Sequence, residues 1–452
     1  MYLPLLLLAS LLSPTHGELR LEGTTPEACL LAAASAAAGE ATTCTLSEGV
    51  HRTIASSTAP LRGPLTIRGA AGSQSSTLSG ALPVAAAGWR RDPAEKGGRP
   101  IFVTTLPPTE SAGEIVQVFV DNVFVSEARW PDANLSTVLS LKTWAFTDRA
   151  SKVGTIVDRA AGPTSVSGRS GLAASGIDWT GARATLNIGD RFTTYVRVVK
   201  NHSAGSDRFD YSSDLGPGPG APPAGSDKWG AGGRYWLSGK KAALDAPGEW
   251  FISCESLVRP LRETRELFIW TPDSHPPAGR VSVKVKDYCI DLIGGAGAPV
   301  VLENMAMHGC TFRLRQCDNC TVSGLNVSYA SYDPTIKIRN TPMGPPPNIT
   351  VLHGNRSRIS DLHLRWANNA GLKIVGDDNV VENVLIEDVD WLGTLDFPAL
   401  EVGFDQLGLD PSAAATERML LRDSNGMYPR PTKGQRNTIR KARSASRGRI
   451  CH

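Results

Sequence analysis

The sequence lacks the features that define several large classes of proteins. After a leucine-rich run near residue 1, no apolar stretch is long enough to cross a bilayer. There is no phosphate-binding loop, no dinucleotide fingerprint and no Ser-His-Asp arrangement. The eight cysteines include one Cys-x-x-Cys pair, Cys317 and Cys320, but not the second close pair that a zinc site needs. We therefore expect no membrane span, no nucleotide chemistry and no structural zinc.

The positive net charge of the chain comes from its last residues. Residues 424–452 carry eight Lys or Arg and no Asp or Glu, so without those eight charges the formal net charge of +3 becomes −5 for the rest. A nucleic-acid-binding domain needs a basic face, and we expect no nucleic-acid partner. The tail itself is expected to be irregular, with binding of acidic glycans as the alternative.

The chain begins like an exported protein. Residues 1–17 join a leucine-rich core to small residues before Glu18, which is typical of a secretory signal peptide. We expect a monomer that is secreted, extracellular or associated with a cell wall. N-glycosylation acceptors support export and lie at Asn134, Asn201, Asn319, Asn326, Asn348 and Asn355. Export also favours disulfides, with connectivity left open, among Cys29, Cys44, Cys289, Cys310, Cys317 and Cys320.

One short pattern, apolar-x-x-apolar-x-apolar, recurs in the second half of the chain. The copies start at Leu302, Val322, Ile359 and Val381, at offsets of 20, 37 and 22 residues. A second short strand follows each copy, at Phe312–Leu314, Ile336–Ile338, Leu372–Ile374 and Leu400–Val402. A period near 22 is typical of a parallel β-solenoid, whose copies stack because none can bury its apolar face alone.

Two other regions complete the predicted organisation. Thr25-Pro26-Glu27 predicts a helix, closed by Gly39, that covers the first turn of the solenoid. Between residues 101 and 275 the period is lost, and alternating, Trp-rich runs predict an inserted antiparallel, sandwich-like domain. Most of its tryptophans are expected in the core, with one or two available to stack on sugar rings. The predicted segments are the signal peptide (1–17), cap and first turns (18–100), insert (101–275), coils (276–405) and irregular tail (406–452).

Four stretches of the sequence carry a family resemblance. They are Gln117–Asp132 (QVFVDNVFVSEARWPD), Tyr235–Leu237 (YWL), Leu244–Trp250 (LDAPGEW) and Leu267–Asp273 (LFIWTPD). These stretches resemble secreted right-handed parallel β-helix proteins, similar to β-xylosidase-like and fucosidase-like glycoside hydrolases with an inserted β-sandwich. The resemblance covers about residues 40–405 and implies an all-β, right-handed parallel β-helix with a polysaccharide or oligosaccharide substrate. It also implies further coils beyond Asp405, so the stack is expected to be shortened.

The second strands of the copies predict a column of charged side chains. Their central residues point outward at Asp291, Arg313, Lys337, Lys373 and Glu401. Adjacent strands lie about 4.8 Å apart, so neighbours in this column can touch. One interpretation is ion pairing of Lys373 with Glu401 and of Asp291 with Arg313. The other is a groove floor on which the cations Arg313, Lys337 and Lys373 bind an anionic glycan.

Acidic residues crowd the last two coils and provide candidates for catalysis. Glycosidases use two carboxyl groups, about 5–5.5 Å apart for retention and about 6.5–9.5 Å apart for inversion. The resemblance implies Asp378 and Glu401 as nucleophile and acid/base, although strand register places Glu401 opposite Lys373. Asp396 is a third candidate. No cofactor is expected, with Ca²⁺ at Asp377, Asp378 and Asp405 as the alternative.

Two alternatives to hydrolysis remain. A non-catalytic glycan-binding or wall-associated protein could keep the same scaffold. A polysaccharide lyase could use Lys337, Arg339 or Lys373 to remove a proton from a uronate. Polygalacturonase chemistry is not favoured, because the Gly-His-Gly element of that family is missing.

Overall fold

The computed structural model describes most of the chain between residues 18 and 445. The described ranges are 18–70, 75–106, 117–159, 171–189, 191, 194–212, 232–253, 265–332, 349–391, 399–403 and 436–445. The predicted signal peptide and five predicted site residues lie outside these ranges: Lys337, Arg339, Asn348, Asp396 and Asp405.

The described elements are almost all strands. Before the insertion they are β1 (Glu18–Thr24), α1 (Pro26–Ser35), β2 (Ala41–Leu46), β3 (Gly49–His51), β4 (Ala55–Ser56), β5 (Leu65–Arg68) and β6 (Ser76–Ser79). Next come β7 (Ala81–Pro83), β8 (Arg90–Arg91), β9 (Phe102–Leu106), β10 (Val118–Val120), β11 (Val123–Glu127), β12 (Arg129–Trp130), β13 (Ala145–Phe146), β14 (Thr155–Val157), β15 (Arg183–Asn187), β16 (Tyr195–Asn201), β17 (Arg208–Tyr211), β18 (Arg234–Ser238), β19 (Glu249–Ser253), β20 (Arg265–Trp270) and β21 (Val281–Lys284). The last group is β22 (Tyr288–Ile293), β23 (Val300–Glu303), β24 (Ala306–His308), β25 (Thr311–Arg315), β26 (Thr321–Ser323), β27 (Asn326–Ser328), β28 (Thr350–His353), β29 (Arg358–Arg365), β30 (Leu372–Val375), β31 (Val380–Glu387), β32 (Leu400–Gly403) and β33 (Thr438–Ala445). Short 3-10 helices lie at Leu141–Thr143, Ala173–Ser175 and Lys241–Ala243.

Three parallel ladders of strands, β1–β6 and β22–β33 together, form what we call the parallel stack. The first ladder runs β1, β2, β5, β23, β26 and on into the first halves of β29, β31 and β33. The second runs β3, β6, β24, β27 and the second halves of the same three strands. The third runs β4, β22, β25, β28, β30 and β32. Equivalent residues of successive copies pair in register, so their apolar side chains form one continuous core.

Each copy of the apolar pattern bends at its third position. The residue there has a positive φ in every copy, at Asn304 (53°), Gly324 (65°), Asp361 (52°) and Asn383 (51°). Asn, Asp and Gly tolerate this left-handed conformation best. The bend separates the first apolar residue from the last two, and thereby divides the pattern between the first and second ladders.

Helix α1 covers the first coil, as its sequence predicts. The Thr25 hydroxyl caps it by accepting a hydrogen bond from the Ala28 N–H, and the helix ends at Ser35. Its Cys29 and Ala33 side chains join the core of the stack. None of the described helices is long and apolar enough to cross a membrane.

The insertion leaves and rejoins the stack at one point, between β6 and β22. Backbone N–H groups of Val285 and Lys286 both donate to the Gly80 carbonyl, at 2.9 and 3.1 Å. A Cβ on Gly80 would lie 2.5 Å from the Lys286 carbonyl oxygen, so the two chain segments can meet only over a glycine. The antiparallel sheets therefore emerge at the corner between the second and third ladders.

The insertion consists of two sheets that share a core. One sheet has the order β7-β21-β10-β11-β19-β20-β9-β8, and the other β12-β18-β15-β16-β17-β14 with β13 beside β18. Val103 and Phe268 of the first sheet cluster with Ile156 and Leu237 of the second. Pairing is antiparallel except between β11 and β19. Asp121 and Asn122 lie in the middle of an alternating stretch of the sequence that is typical of a strand. Both have positive φ, and they form a hairpin turn between β10 and β11.

The tail contains a strand that the sequence analysis does not predict. Thr438–Ala445 pairs in register with β31, so Ile439 stands beside Val381 as a fifth copy of the pattern. Its pattern is weak because Ala442 and Ser444 occupy the other two apolar positions. The expectation of an irregular tail is therefore wrong for these eight residues.

Four of the six candidate cysteines form disulfides. Cys289 joins Cys310, and Cys317 joins Cys320. Cys29 and Cys44 are buried free thiols, so their inclusion among the disulfides is corrected. A hydrogen bond from one thiol to the other, together with burial, raises the pKa of Cys29.

Candidate functional site

A cleft lies between the insertion and the parallel stack. Its empty volume, counted to the open mouth, is about 460 Å³. The insertion lines it with Phe124, Ser126, Glu127, Arg129, Ala133, Val138, Trp236 and Ser238, and the stack with Tyr332, Asn368 and Trp391. The stack residues come from corners of successive coils between the second and third ladders. Because the insertion leaves the stack at the same kind of corner, the cleft follows from the point of insertion.

Aromatic rings form the seam beneath this cleft. The Phe124 ring lies 5.3 Å from that of Trp391 and 5.9 Å from that of Tyr332, measured between centroids. Deeper in the seam, Tyr329 stacks on Trp366 at 4.8 Å, and its hydroxyl accepts a hydrogen bond from the Phe124 N–H. Burial raises the pKa of Tyr329 to about 12. These contacts hold the insertion against the stack and fix the width of the cleft.

The acidic lining residue of the cleft is Glu127. It ends β11 and forms an ion pair with Arg183 of the insertion. Behind the wall, Glu249 is 2% exposed and accepts hydrogen bonds from the Asp245 and Ala246 N–H groups. Burial, with smaller contributions from Asp132 and Asp245, raises the pKa of Glu249 well above 4.5. The wall therefore combines an ion-paired carboxylate at its surface with a buried one behind it, whose charged form is disfavoured by burial.

Arg129 provides the buried cation of the wall. Its Nε donates to the Pro131 carbonyl at 2.9 Å, and its Nη2 to the Thr143 carbonyl. The guanidinium lies 4.2 Å from the centre of the Trp236 ring. Trp236 is half-buried, whereas Trp144, Trp179 and Trp250 are buried in the cores, as most of the tryptophans of the insertion were expected to be.

The predicted charged column is present in the third ladder, with one member replaced. Register runs from Asp291 to Arg313, Val351, Lys373 and Glu401. Val351 therefore stands where Lys337 was expected, because β28 rather than residues 336–338 forms that rung. Arg313 Nη2 pairs with Asp291 at 2.6 Å, and Lys373 Nζ pairs with Glu401 Oε1 at 2.8 Å. These contacts agree with the ion-pairing interpretation of the column.

The predicted carboxylates Asp378 and Glu401 occupy different positions in a coil. Glu401 is paired in the third ladder with Lys373, which is 1% exposed. Asp378 lies beyond the end of β30, at the corner leading to the first ladder, where it accepts from Arg436 Nε and Nη2 at 2.5 and 2.6 Å. Hydrogen bonding to Arg436 lowers the pKa of Asp378. Each carboxylate is thus engaged by its own cation.

Other predicted sites fall on ordinary surface positions. The acceptors Asn134, Asn201 and Asn319 are exposed, while Asn326 and Asn355 are partly buried. The Asn355 amide donates to Asp318 Oδ1 at 3.1 Å. Among the described residues, no group of three or more His, Cys, Asp or Glu is placed to hold a metal ion.

Sequence reasoning did not identify the lining residues of the cleft as a site. Glu127, Arg129 and Trp236 lie within stretches that carry the family resemblance, but no local spacing relates them to Trp391. Phe124 and Tyr329, which join the two walls, are 205 residues apart. A site assembled over such a distance has no periodic pattern to reveal it.

Among known proteins, no family model and no curated sequence matches this chain. Two solved chains match this chain in a structural comparison, both at 10% identity. One is described as a glycoside hydrolase and has a TM-score of 0.46, with 94% of this chain and 96% of that chain covered. The other is XylC in complex with xylose, with a TM-score of 0.39 and coverage of 83% and 54%. Likenesses at this level assign no activity to the chain.

Proposed function

We propose that the protein is an exported carbohydrate-active enzyme that binds a glycan in the cleft and hydrolyses its glycosidic bonds. The observation that carries the proposal is the lining of this cleft. A half-buried indole lies beside the Glu127 carboxyl group, a guanidinium and the Asn368 amide. Aromatic faces pack against the C–H faces of sugar rings, and polar groups beside them bond to the hydroxyls.

The proposal includes the finer fold that the family resemblance implies. The parallel stack then winds as a right-handed β-helix, and the insertion forms one wall of the substrate groove. Adjacent rungs of such a helix lie about 4.8 Å apart, close to the carboxyl separation of a retaining glycosidase.

Four carboxylates are candidates for the chemistry. Glu127 lines the cleft, and its ion pair with Arg183 fixes its orientation. Asp378 and Glu401 are implied by the resemblance, and each must exchange its present cation for substrate before it can act. Asp396, outside the described residues, remains a candidate on the sequence alone.

Activity on a panel of neutral and acidic polysaccharides tests the proposal. Reducing ends and the ultraviolet absorbance of unsaturated uronates are read together for the wild type, Glu127→Gln, Asp378→Asn and Glu401→Gln. Glu48→Gln, an exposed change in the first coil, is the matched control. We expect new reducing ends without absorbance, lost in at least one of the three variants and kept in the control. Absorbance that grows with the reducing ends would instead identify a lyase.

A second candidate function is glycan binding without catalysis. The observation that favours it is the engagement of both resemblance-implied carboxylates, Glu401 with Lys373 and Asp378 with Arg436. Folded protein that retains a polysaccharide on a column but releases no reducing ends would establish this function and refute hydrolysis.

A further inference from the structure

The position of Arg129 in the cleft wall is unusual for a buried cation. The residue is 7% exposed, yet it lines the open cleft. Two of its nitrogens are used by the Pro131 and Thr143 carbonyls, which are neutral acceptors. The described contacts include none to Nη1, so an N–H of Nη1 and the second N–H of Nη2 remain as a planar pair of donors for a ligand.

Among the described residues, no carboxylate forms an ion pair with this guanidinium. Buried arginines are ordinarily paired with carboxylates, as Arg183 is with Glu127 on the same wall and Arg313 with Asp291 in the stack. Within the part of the chain that the structure describes, Arg129 has no carboxylate at ion-pair distance. Burial lowers the pKa of Arg129 to about 10, so the cation persists at neutral pH.

The carboxyl groups farther from Arg129 do not neutralise its guanidinium. Glu127 is held by Arg183, and burial raises the pKa of Glu249, which disfavours its charged form. Asp132 attracts the guanidinium only from beyond ion-pair distance. The Trp236 ring below the guanidinium stabilises a cation but cannot replace an anion.

We propose that Arg129 recognises an anionic substituent, a carboxylate or a sulfate ester, on a sugar ring bound in the cleft. This inference rests on the proposed function and names its substrate class: uronate-containing or sulfated glycans rather than neutral ones. A planar guanidinium binds both groups with two parallel hydrogen bonds, which an ammonium cannot do.

Calorimetric titration of the full-length protein tests this inference. The probes are three oligosaccharides of equal length: a neutral xylan fragment, an oligogalacturonide and a sulfated galactan fragment. We expect the wild type to bind one acidic probe about tenfold to hundredfold more tightly than the neutral one, the range of a charge-assisted hydrogen bond. Which acidic probe binds more tightly distinguishes carboxylate from sulfate.

Three variants separate recognition from folding. Arg129→Met should remove the preference, so that the acidic probes bind no more tightly than the neutral one. Arg129→Lys keeps the charge and tolerates the buried site better, and should retain only part of the preference. Arg208→Met, an exposed change on β17, is the matched control and should behave as wild type. Thermal unfolding of each variant checks that it is folded.

The possible outcomes are distinct. Equal binding of all three probes by the wild type overturns the inference and leaves the proposed function standing. An unchanged preference in folded Arg129→Lys overturns the bidentate geometry on which the inference depends. If no probe binds, and the polysaccharide panel is neither retained nor cleaved, the proposed function fails and the inference fails with it.

Discussion

The ion pair between Lys373 and Glu401 gives the sharpest prediction about the stack. The ammonium is 1% exposed, whereas the Glu401 side chain is 26% exposed. At 2.8 Å and an effective dielectric constant of about 20, their attraction is about 6 kcal/mol before desolvation is subtracted. Removing the carboxylate leaves the lysine buried without a partner, a change that costs about 3–5 kcal/mol in buried pairs.

The two partners should therefore respond unequally to substitution. We expect Glu401→Leu to lower the free energy of unfolding by about 3 kcal/mol, toward the low end because Glu401 is partly solvated. Lys373→Met should cost about 1 kcal/mol or less, since the remaining carboxylate can be hydrated and the methionine fills the buried space. The double variant should resemble Lys373→Met, because no unpaired buried charge is left.

Urea unfolding followed by tryptophan fluorescence measures all three variants against the wild type. Glu401→Gln, which keeps a neutral acceptor for the ammonium, should fall between wild type and Glu401→Leu. The reasoning is refuted if Glu401→Leu unfolds within about 0.5 kcal/mol of wild type, or if the double variant is less stable than Glu401→Leu. A large loss in Glu401→Leu also means that activity lost in Glu401→Gln must be measured on protein shown to be folded.

Three further predictions concern the seam, the buried carboxyl and a disulfide. Phe124→Ala should lower the free energy of unfolding by about 3–5 kcal/mol, because the buried ring joins the insertion to the stack. A melting temperature equal to that of the wild type would contradict this role. Burial raises the folded-state pKa of Glu249 above its ordinary 4.5, so the folded state keeps a proton that the unfolded state releases, and stability should fall as pH rises above about 4.5. Glu249→Gln should flatten that fall in urea titrations between pH 4.5 and 7, and an unchanged slope would refute the assignment. Replacing Cys289 and Cys310 by serine removes a cross-link between residues 21 positions apart and should lower the free energy of unfolding by about 3 kcal/mol. Equal melting temperatures with and without reductant would contradict a structural disulfide.

Several features of the fold could be predicted from local sequence alone. The helix at Pro26 follows from its Thr25 cap and first-turn proline, and the spacing of the apolar residues places Leu302 and Val322 on adjacent rungs. Such features depend on neighbours within about one coil, where periodicity and backbone preference act directly. The parallel strands and the loss of the repeat at the insertion could also be predicted from the sequence, because both follow from local periodicity.

Competing local signals explain the predictions that failed. Two segments have a sequence typical of a strand, Ile336-Lys337-Ile338 and Thr350–His353. The second pairs with β25 and β30 and so forms that rung of the third ladder, which local sequence alone does not indicate. The β33 strand carries few apolar residues, so its place is decided by pairing with β31 rather than by its own pattern. Strand register is a tertiary property wherever two candidate segments compete for one rung.

The sequence by itself determined the repeat, the cap, the insertion between coils and the negative net charge of residues 1–423. Only the tertiary structure decided between ion pairing and a groove floor for the charged column, and where a ligand can enter. The pairing of Lys373 with Glu401 depends on the register of two coils. The position of the buried Arg129 cation at the wall of a cleft depends on how the insertion packs against the corners of the stack. Both arise from side chains far apart in the chain, since burial and charge compensation are set by the neighbours that folding supplies.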